Sequence, residues 1–151
     1  MPGHLIRRMH QASQAIFDME MAKAGWDLTS VQYAALTAIA DRPGLDQATL
    51  ASVIVFDRVT TGGVIDRLEA KGFVRREIAK GDRRSRRLHL QTAGEAALAG
   101  ATPVVRDIQI KMLAGLSSKE QGTLLRLLQK ALDAVGEARR VPLRVVGLRA
   151  Q

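Results

Sequence analysis

Apolar residues recur at helical spacing through most of the chain. In the first such stretch, residues 4–24, Leu5, Met9, Ile16 and Met21 mark one side of a helix, and Gly25 follows its end. The same periodicity and the helix-capping residues predict five further helices. The second helix begins at the capping box Thr29 to Gln32, the third spans 47–53 after its cap Asp46, and the fourth spans 58–71. The fifth runs from Thr92 to Leu113, and the sixth begins at the capping box Ser117 to Glu120 and ends at Val135. Pro103 is expected to kink or divide the fifth helix.

After Gly72 the apolar period changes from helical to alternating. Val74 and Ile78 alternate with charged residues, and Leu88 and Leu90 alternate again beyond the segment 80–85. This pattern predicts a two-stranded hairpin whose strands are joined across residues 80–85 and whose tip, residues 82–86, is basic. The order is then helix, helix, short helix, turn over 55–57, helix, basic hairpin, helix, helix. It is typical of a mainly α protein with a small β-wing, the winged helix-turn-helix.

Composition narrows the class of protein. A chain of 151 residues favours one domain, and the absence of Cys excludes disulfides, thiolate metal sites and cysteine redox chemistry. We expect no metal site and no cofactor, because His4, His10 and His89 are scattered and lack acidic neighbours at ligand spacing. Phosphate-loop and nucleophile-elbow motifs are absent, so we expect no catalytic residues and no enzyme activity. No apolar run approaches membrane-spanning length and no leader begins the chain, which predicts a cytoplasmic protein.

Charge points to a polyanionic partner. The formal net charge is +8, and residues 75–87 hold seven basic against two acidic side chains. Such packed like charges repel one another unless a counter-charge meets them. In a helix-turn-helix, the early residues of the second helix face DNA bases and phosphates. The predicted DNA-binding residues are therefore those of the second helix and the hairpin: Arg58, Thr60, Thr61, Gly62, Arg67, Arg76, Asp82, Arg83, Arg84 and Arg86.

Two of these predictions carry open alternatives. Gly62 and Gly63 either let the helix approach DNA closely or make room for a neighbouring helix, and the sequence favours neither. Arg67 either meets a phosphate or forms a salt bridge. We expect Asp82 to pair with a neighbouring arginine and fix its direction.

The ordered motifs resemble the multiple antibiotic resistance regulator (MarR) family over residues 5–135. The segments that carry the resemblance are 28–36 (LTSVQYAAL), 57–61 (DRVTT), 66–76 (DRLEAKGFVRR), 81–84 (GDRR) and 90–94 (LQTAG). The resemblance implies a homodimer built by residues 4–24 and 94–137, a DNA-binding lobe over 29–91, a basic tail over 138–151, and a pseudopalindromic operator on double-stranded DNA. It also implies that Arg84 is the arginine that enters the minor groove. Gly62 and Gly63 depart from the larger polar or basic residues of many relatives.

The resemblance further implies a repressor released by a small aromatic acid, phenol or thioester. A carboxylate of such an effector would meet Arg7 or His10, and Phe17, Trp26 and Tyr33 would line an apolar cavity. The alternative is that these aromatic residues belong to the core and Arg7 to the surface. Two other functions stay open: a ligand-independent architectural DNA-binding protein, and a protein-interaction module that reuses the fold.

Overall fold

A computed structural model describes residues 1–54 and 58–139, apart from the side chains of residues 58, 59, 79, 82–84 and 137–139. In chain order its elements are α1 (Pro2–Lys23), α2 (Ser30–Asp41), α3 (Gln47–Ile54), α4 (Arg58–Ala70), β1 (Val74–Ala79), β2 (Asp82–Leu90), α5 (Thr92–Met112) and α6 (Ser118–Arg139). This order confirms the predicted winged helix-turn-helix fold, mainly α with one small antiparallel hairpin. The predicted turn over 55–57, the Asp57 cap and residues 140–151 of the predicted tail lie outside the described residues.

Local signals place most helix ends. Gly25 and Gly72 follow α1 and α4 with φ of 80° and 75°, the left-handed conformation that glycine adopts without strain. The backbone N–H of Glu120 donates to Ser117 Oγ at 3.3 Å, and Ser117 N–H donates to Glu120 Oε2 at 2.8 Å, which confirms the capping box before α6. That N–H contact holds the pKa of Glu120 below its usual value.

Pro103 does not divide the helix in which it lies. Helix α5 continues from Thr92 to Met112 with Pro103 inside it, so of the two expected effects, a kink or a division, the division does not occur. Proline removes one backbone donor and costs about 3 kcal/mol in a helix interior. Ala101 and Ile108 are buried on either side of Pro103, and the burial of both flanks keeps the helix continuous.

The chain forms two compact units. The first comprises Met1–Ser30 and Ala99–Ala131. In it, Lys111 Nζ lies 2.7 Å from Glu20 Oε2, joining α5 to α1, and this hydrogen bond lowers the pKa of Glu20. The Trp26 ring covers Gly100 so closely that a methyl group at position 100 would overlap it. The unit's buried apolar side chains include Phe17, Met21, Leu28, Ala101 and Ile108.

The second unit comprises Val31–Leu98 and the chain from Leu132 on; it contains α2 from Val31, α3, α4 and the hairpin. Its buried apolar side chains come from every one of these elements: Leu36, Ile39, Leu50, Ile65, Leu68, Val74 and Leu88. Asp46 precedes α3 and accepts a hydrogen bond from the Thr49 backbone N–H at 2.6 Å, which confirms the predicted cap. That bond lowers the pKa of Asp46.

The hairpin is longer and its turn tighter than the sequence indicates. Pairing runs from Val74 opposite Leu90 to Ile78 opposite Arg86, and then shifts so that Ala79 faces Asp82. The strands are joined at Lys80 and Gly81, where Gly81 has φ of 87°. The predicted connection over 80–85 is therefore too long, because a glycine at positive φ permits a two-residue connection at Lys80 and Gly81. No helix in the described part of the chain is long and apolar enough to cross a bilayer.

Candidate nucleic-acid interface

Helices α3 and α4 form the helix-turn-helix, and the wing is tied directly to it. The Gly44 N–H donates to the Leu88 carbonyl at 2.8 Å, and the Leu88 N–H donates to the Leu45 carbonyl at 3.0 Å. Asp46 also bridges to Arg87 in antiparallel fashion. The loop that leads into α3 therefore pairs with β2 of the wing, so the two DNA-facing elements of the predicted lobe share one hydrogen-bonded framework.

The early residues of α4 do not all face solvent. Thr60 is exposed, whereas the side chain of Thr61 is completely buried. Thr61 Oγ1 has no hydrogen-bond partner among the residues that the structure describes. A side chain with no exposed surface reaches DNA only if the helix moves, so this position argues against a direct contact by Thr61. The Arg58 side chain lies outside the description.

The two glycines of α4 have different surroundings. A methyl group on Gly62 would lie 3.1 Å from Gln47 Nε2, closer than ordinary packing allows. A methyl group on Gly63 would meet Arg67 Nη1 at 3.9 Å, an ordinary contact. The Gln47 amide would have to shift by a few tenths of an ångström to admit a methyl group at position 62, which supports the packing interpretation there; the contact at position 63 gives it no such support. Arg67 is exposed on the same helix.

Arg76 is a residue of β1 whose side chain reaches across to α4. Its Nη1 is 2.6 Å from Asp66 Oδ1 and 3.4 Å from Glu69 Oε1, and only 21% of its side chain is exposed. Its Nη2 donates to the Gly62 carbonyl at 3.3 Å and to Gln47 Oε1 at 3.5 Å. An arginine held in this way is turned toward its own protein, which is not the extended position expected of a side chain reaching into a groove.

The wing arginines sit at the irregular part of the hairpin. The pairing moves from Ile78 opposite Arg86 to Ala79 opposite Asp82, so residues 83–85 of β2 lie within the irregularity. An irregularity of this kind interrupts the regular hydrogen-bonded ladder of the hairpin at these residues. The structure does not describe the side chains of Asp82, Arg83 and Arg84, so the predicted pairing of Asp82 with an arginine lies outside the described residues. Arg86 is half-buried.

The opposite face of the wing carries its own ion pairs. Glu77 Oε2 lies 3.4 Å from Arg75 Nη1 and 3.2 Å from His89 Nε2. Arg75 and Arg76 are thus both paired with carboxylates, one on each face of β1.

The predicted effector residues are placed as follows. Arg7 and His10 are exposed on α1, one helical turn apart, and Phe17 further along the same helix is 7% exposed. Trp26 is half-buried against Gly100. These four belong to the first unit, whereas Tyr33, half-buried on α2, belongs to the second.

Sequence reasoning missed three residues of the α4 and wing contact, namely Gln47, Asp66 and Glu69. A signal for two of them is present in the sequence. Gly62, Asp66 and Glu69 are spaced i, i+4 and i+7, which places them on one face of a helix. An acidic face on a helix next to a basic strand predicts ion pairs between the two.

Comparisons with known proteins agree on one family. The model of the family described as MarR matches residues 28–85. The transcriptional regulator HosA of Escherichia coli O111:H- is 35% identical over 131 residues, covering 87% of this chain and 94% of HosA. The HTH-type transcriptional repressor NicR of Pseudomonas putida is 33% identical over 132 residues, covering 87% of this chain and 82% of NicR.

A solved structure is similar over nearly the same length. It is that of Bordetella bronchiseptica BpsR, described as showing how 6-hydroxynicotinic acid regulates DNA binding. It shares 28% sequence identity and a TM-score of 0.82, covering 88% of this chain and 94% of that one.

Proposed function

The chain belongs to the MarR family of transcriptional regulators, and we propose that it represses transcription as a homodimer that binds a pseudopalindromic operator in double-stranded DNA. The observation that carries the proposal is the lobe in which a basic wing is hydrogen-bonded both to the loop that leads into α3 and, through Arg76, to α4. The second helix of such a motif enters the major groove, and an adjacent wing reaches the phosphates or the minor groove.

The proposed DNA contacts start from the exposed and wing positions. On α4 these are Arg58, Thr60 and Arg67; on the wing they are Arg83, Arg84 and Arg86, with Asp82 orienting a neighbouring arginine. The bulge over residues 83–85 supports the wing assignment, because it separates the arginines from the regular ladder. Arg84 is proposed to enter the minor groove, where a narrow A·T tract strengthens the negative potential.

Exposed apolar side chains support the homodimer. On α6, Leu125, Leu128, Leu132 and Val135 are each 40–49% exposed and follow spacings of three, four and three residues. This is the seam spacing by which helices pack against one another. On α1, Leu5 and Ile6 are at least 60% exposed. A second copy of the chain would cover both helices, in line with the predicted dimerisation segments 4–24 and 94–137.

The repressor role and the effector are proposed from the relatives. NicR is named a repressor, and the DNA binding of BpsR is regulated by 6-hydroxynicotinic acid, an aromatic acid. For this chain the effector is proposed to be a small aromatic acid, phenol or thioester, with Arg7 or His10 meeting its carboxylate. An effector that binds better to a form unable to span adjacent major grooves must weaken operator binding.

The test of DNA binding is a selection of duplexes from a random pool, with the solution mass of the protein measured alongside. The proposal expects an enriched inverted repeat, half-sites roughly 34 Å apart, and a dimeric mass. Salt-sensitive binding without an enriched sequence would instead support an architectural DNA-binding protein. Absence of binding at low salt would contradict both functions and favour a protein-interaction module.

The test of the effector uses the selected duplex. Operator affinity is measured with and without 6-hydroxynicotinic acid, benzoic acid and a phenol. The proposal expects at least one of these to weaken binding, and to do so less in the Arg7→Gln or the His10→Gln variant. Unchanged affinity with all three compounds would contradict the proposed effector class and leave the DNA-binding proposal standing.

A further inference from the structure

We infer that Arg76 is a positioning residue that fixes the recognition helix α4 against the wing, rather than a residue that contacts DNA. The inference rests on the proposed DNA-binding function. The residues of α4 that pair with Arg76 are inferred to help hold α4 against the wing. Operator recognition needs α4 and the wing at a set separation, because one enters a groove while the other reaches the neighbouring part of the duplex.

Arg76 joins β1 to α4 through both its backbone and its side chain. Its backbone N–H donates to Glu69 Oε2 at 3.3 Å. Its guanidinium lies 2.6 Å from Asp66 and 3.4 Å from Glu69, and also donates to the Gly62 carbonyl at 3.3 Å. The planar guanidinium offers several donors in fixed directions, so one side chain spans all three helix positions.

The partners of Arg76 form a stripe along α4. Gly62, Asp66 and Glu69 are spaced i, i+4 and i+7 and therefore share the face that meets β1. The contact thus extends along two turns of the helix. It fixes the rotation of α4 about its axis as well as its distance from the wing, and this rotation decides which α4 residues face the DNA bases.

Gln47 extends the contact to the first turn of α3. Gln47 Oε1 accepts a hydrogen bond from Arg76 Nη2 at 3.5 Å, and Gln47 Nε2 lies 3.1 Å from the place of a methyl group on Gly62. Glycine at position 62 therefore leaves room for the Gln47 amide beside Arg76. Both helices of the helix-turn-helix and the first wing strand meet at this one guanidinium.

A phosphate contact by Arg76 would make opposite predictions. Asp66→Asn would then release Arg76 and remove a negative charge from the DNA-facing lobe, so binding would tighten. Arg76→Lys would keep most of the affinity, because an ammonium group also binds phosphate. Arg76→Gln would lower the slope of log K against log salt by about 0.9, the value for one lost phosphate contact.

The experiment measures the affinity of the full chain for its selected duplex and for a scrambled duplex over a series of salt concentrations. The variants are Arg76→Gln, Arg76→Lys, Asp66→Asn and the double variant Arg76→Gln with Asp66→Asn. Arg75→Gln is the matched control, because it removes the same charge from the neighbouring residue, which pairs with Glu77 on the opposite strand face. All measurements are made well below each variant's midpoint of thermal unfolding.

A positioning role predicts that Arg76→Gln, Arg76→Lys and Asp66→Asn each lower operator affinity about tenfold, the size of coupling typical within one contact network. The double variant should lose no more than the larger single loss. The salt slope of Arg76→Gln should equal that of the wild type, and the preference for operator over scrambled duplex should fall. Arg75→Gln should keep that preference.

Tighter binding by Asp66→Asn, or retained affinity in Arg76→Lys with a lower salt slope in Arg76→Gln, would overturn the inference in favour of a phosphate contact. Equal losses in Arg75→Gln and Arg76→Gln would also overturn it. If Arg76→Gln does not fold, Asp66→Asn decides alone, because the substitution is at a 65% exposed position and Arg76 keeps Glu69 as a carboxylate partner. Failure of the wild type to bind any duplex would contradict the proposed function itself, whereas wild-type binding with unaffected variants would contradict only the role of Arg76.

Discussion

Replacing Thr61 by valine should stabilise the protein and leave its operator affinity unchanged. The Thr61 side chain is fully buried on α4, and its hydroxyl finds no partner among the described residues. Valine has nearly the same shape, is also β-branched and has a similar helix propensity. The substitution therefore exchanges a buried polar group for a methyl group and alters little else.

The size of the gain follows from the desolvation of the hydroxyl. Leaving a buried polar group without a hydrogen bond costs about 1–3 kcal/mol, and Thr61→Val removes that cost. For a chain of this length, each kcal/mol raises the midpoint of thermal unfolding by about 2–4 °C. The variant should therefore unfold several degrees higher than the wild type.

The assay combines thermal and urea unfolding with operator affinity at one salt concentration. Thr60→Val is the matched control, because Thr60 is the exposed neighbour on the same helix. Its unfolding free energy should change by less than about 0.5 kcal/mol. An unfolding midpoint no higher than that of the wild type would show that the Thr61 hydroxyl costs no stability. A loss of operator affinity in Thr61→Val would restore Thr61 as a DNA contact.

Three further changes test how the lobe is held together. Gly94→Ala should destabilise the protein by about 1–3 kcal/mol in urea unfolding, because its methyl group would overlap the Phe73 carbonyl oxygen and lie 2.9 Å from its carbon; unchanged stability would contradict that packing. Asp46→Ala should cost about 0.5–2 kcal/mol at neutral pH through loss of the bond from Thr49. Because folding lowers the pKa of Asp46, the stabilisation by its carboxylate is complete above the ordinary pKa of aspartate and is lost as the pH falls through the pKa of the folded state. If the wild type were still more stable than Asp46→Ala at about pH 2, the role of the Asp46 carboxylate as a cap would be contradicted. Gly63→Ala should raise stability by about 1 kcal/mol, since among the residues that the structure describes a methyl group there meets only Arg67 Nη1, at 3.9 Å; a lower unfolding midpoint would contradict that geometry.

Local patterns predict the elements of this fold well. The alternation around Val74 and Leu88 gives the wing, and both residues are fully buried. The caps at Asp46 and Ser117 are present because each depends on residues only three positions apart. Signals that act within a few residues of the chain can be read without knowing what packs against them.

The orientation of α4 could not be predicted in the same way. Its first residues, Arg58 to Gly63, include a single large apolar side chain, so the sequence marks no clear inward face there. Consequently Thr61 is predicted to face DNA, whereas it is buried. The fold decides the rotation of the helix through contacts with distant residues.

The same limit applies to Arg76. A run of basic residues indicates a polyanionic partner, but it does not show which members are already paired. The carboxylates of Asp66 and Glu69 lie ten and seven positions away, and they reach Arg76 only because β1 returns along α4. The turn at Gly81 is also tighter than predicted, because polar residues on both sides hide the alternation of β2.

The most direct test of the proposed DNA contact by the wing is the operator affinity of Arg84→Ala over a series of salt concentrations, with Arg106→Ala as the control. Arg106 is an exposed arginine on α5, outside the DNA-facing lobe, and its loss changes the net charge equally. If Arg84 enters the minor groove, its variant should bind about 1–3 kcal/mol more weakly, lose preference for A·T tracts and show a lower salt slope, while Arg106→Ala stays close to the wild type. Equal affinity of the Arg84 variant and the wild type at every salt concentration would contradict the proposed role of the wing.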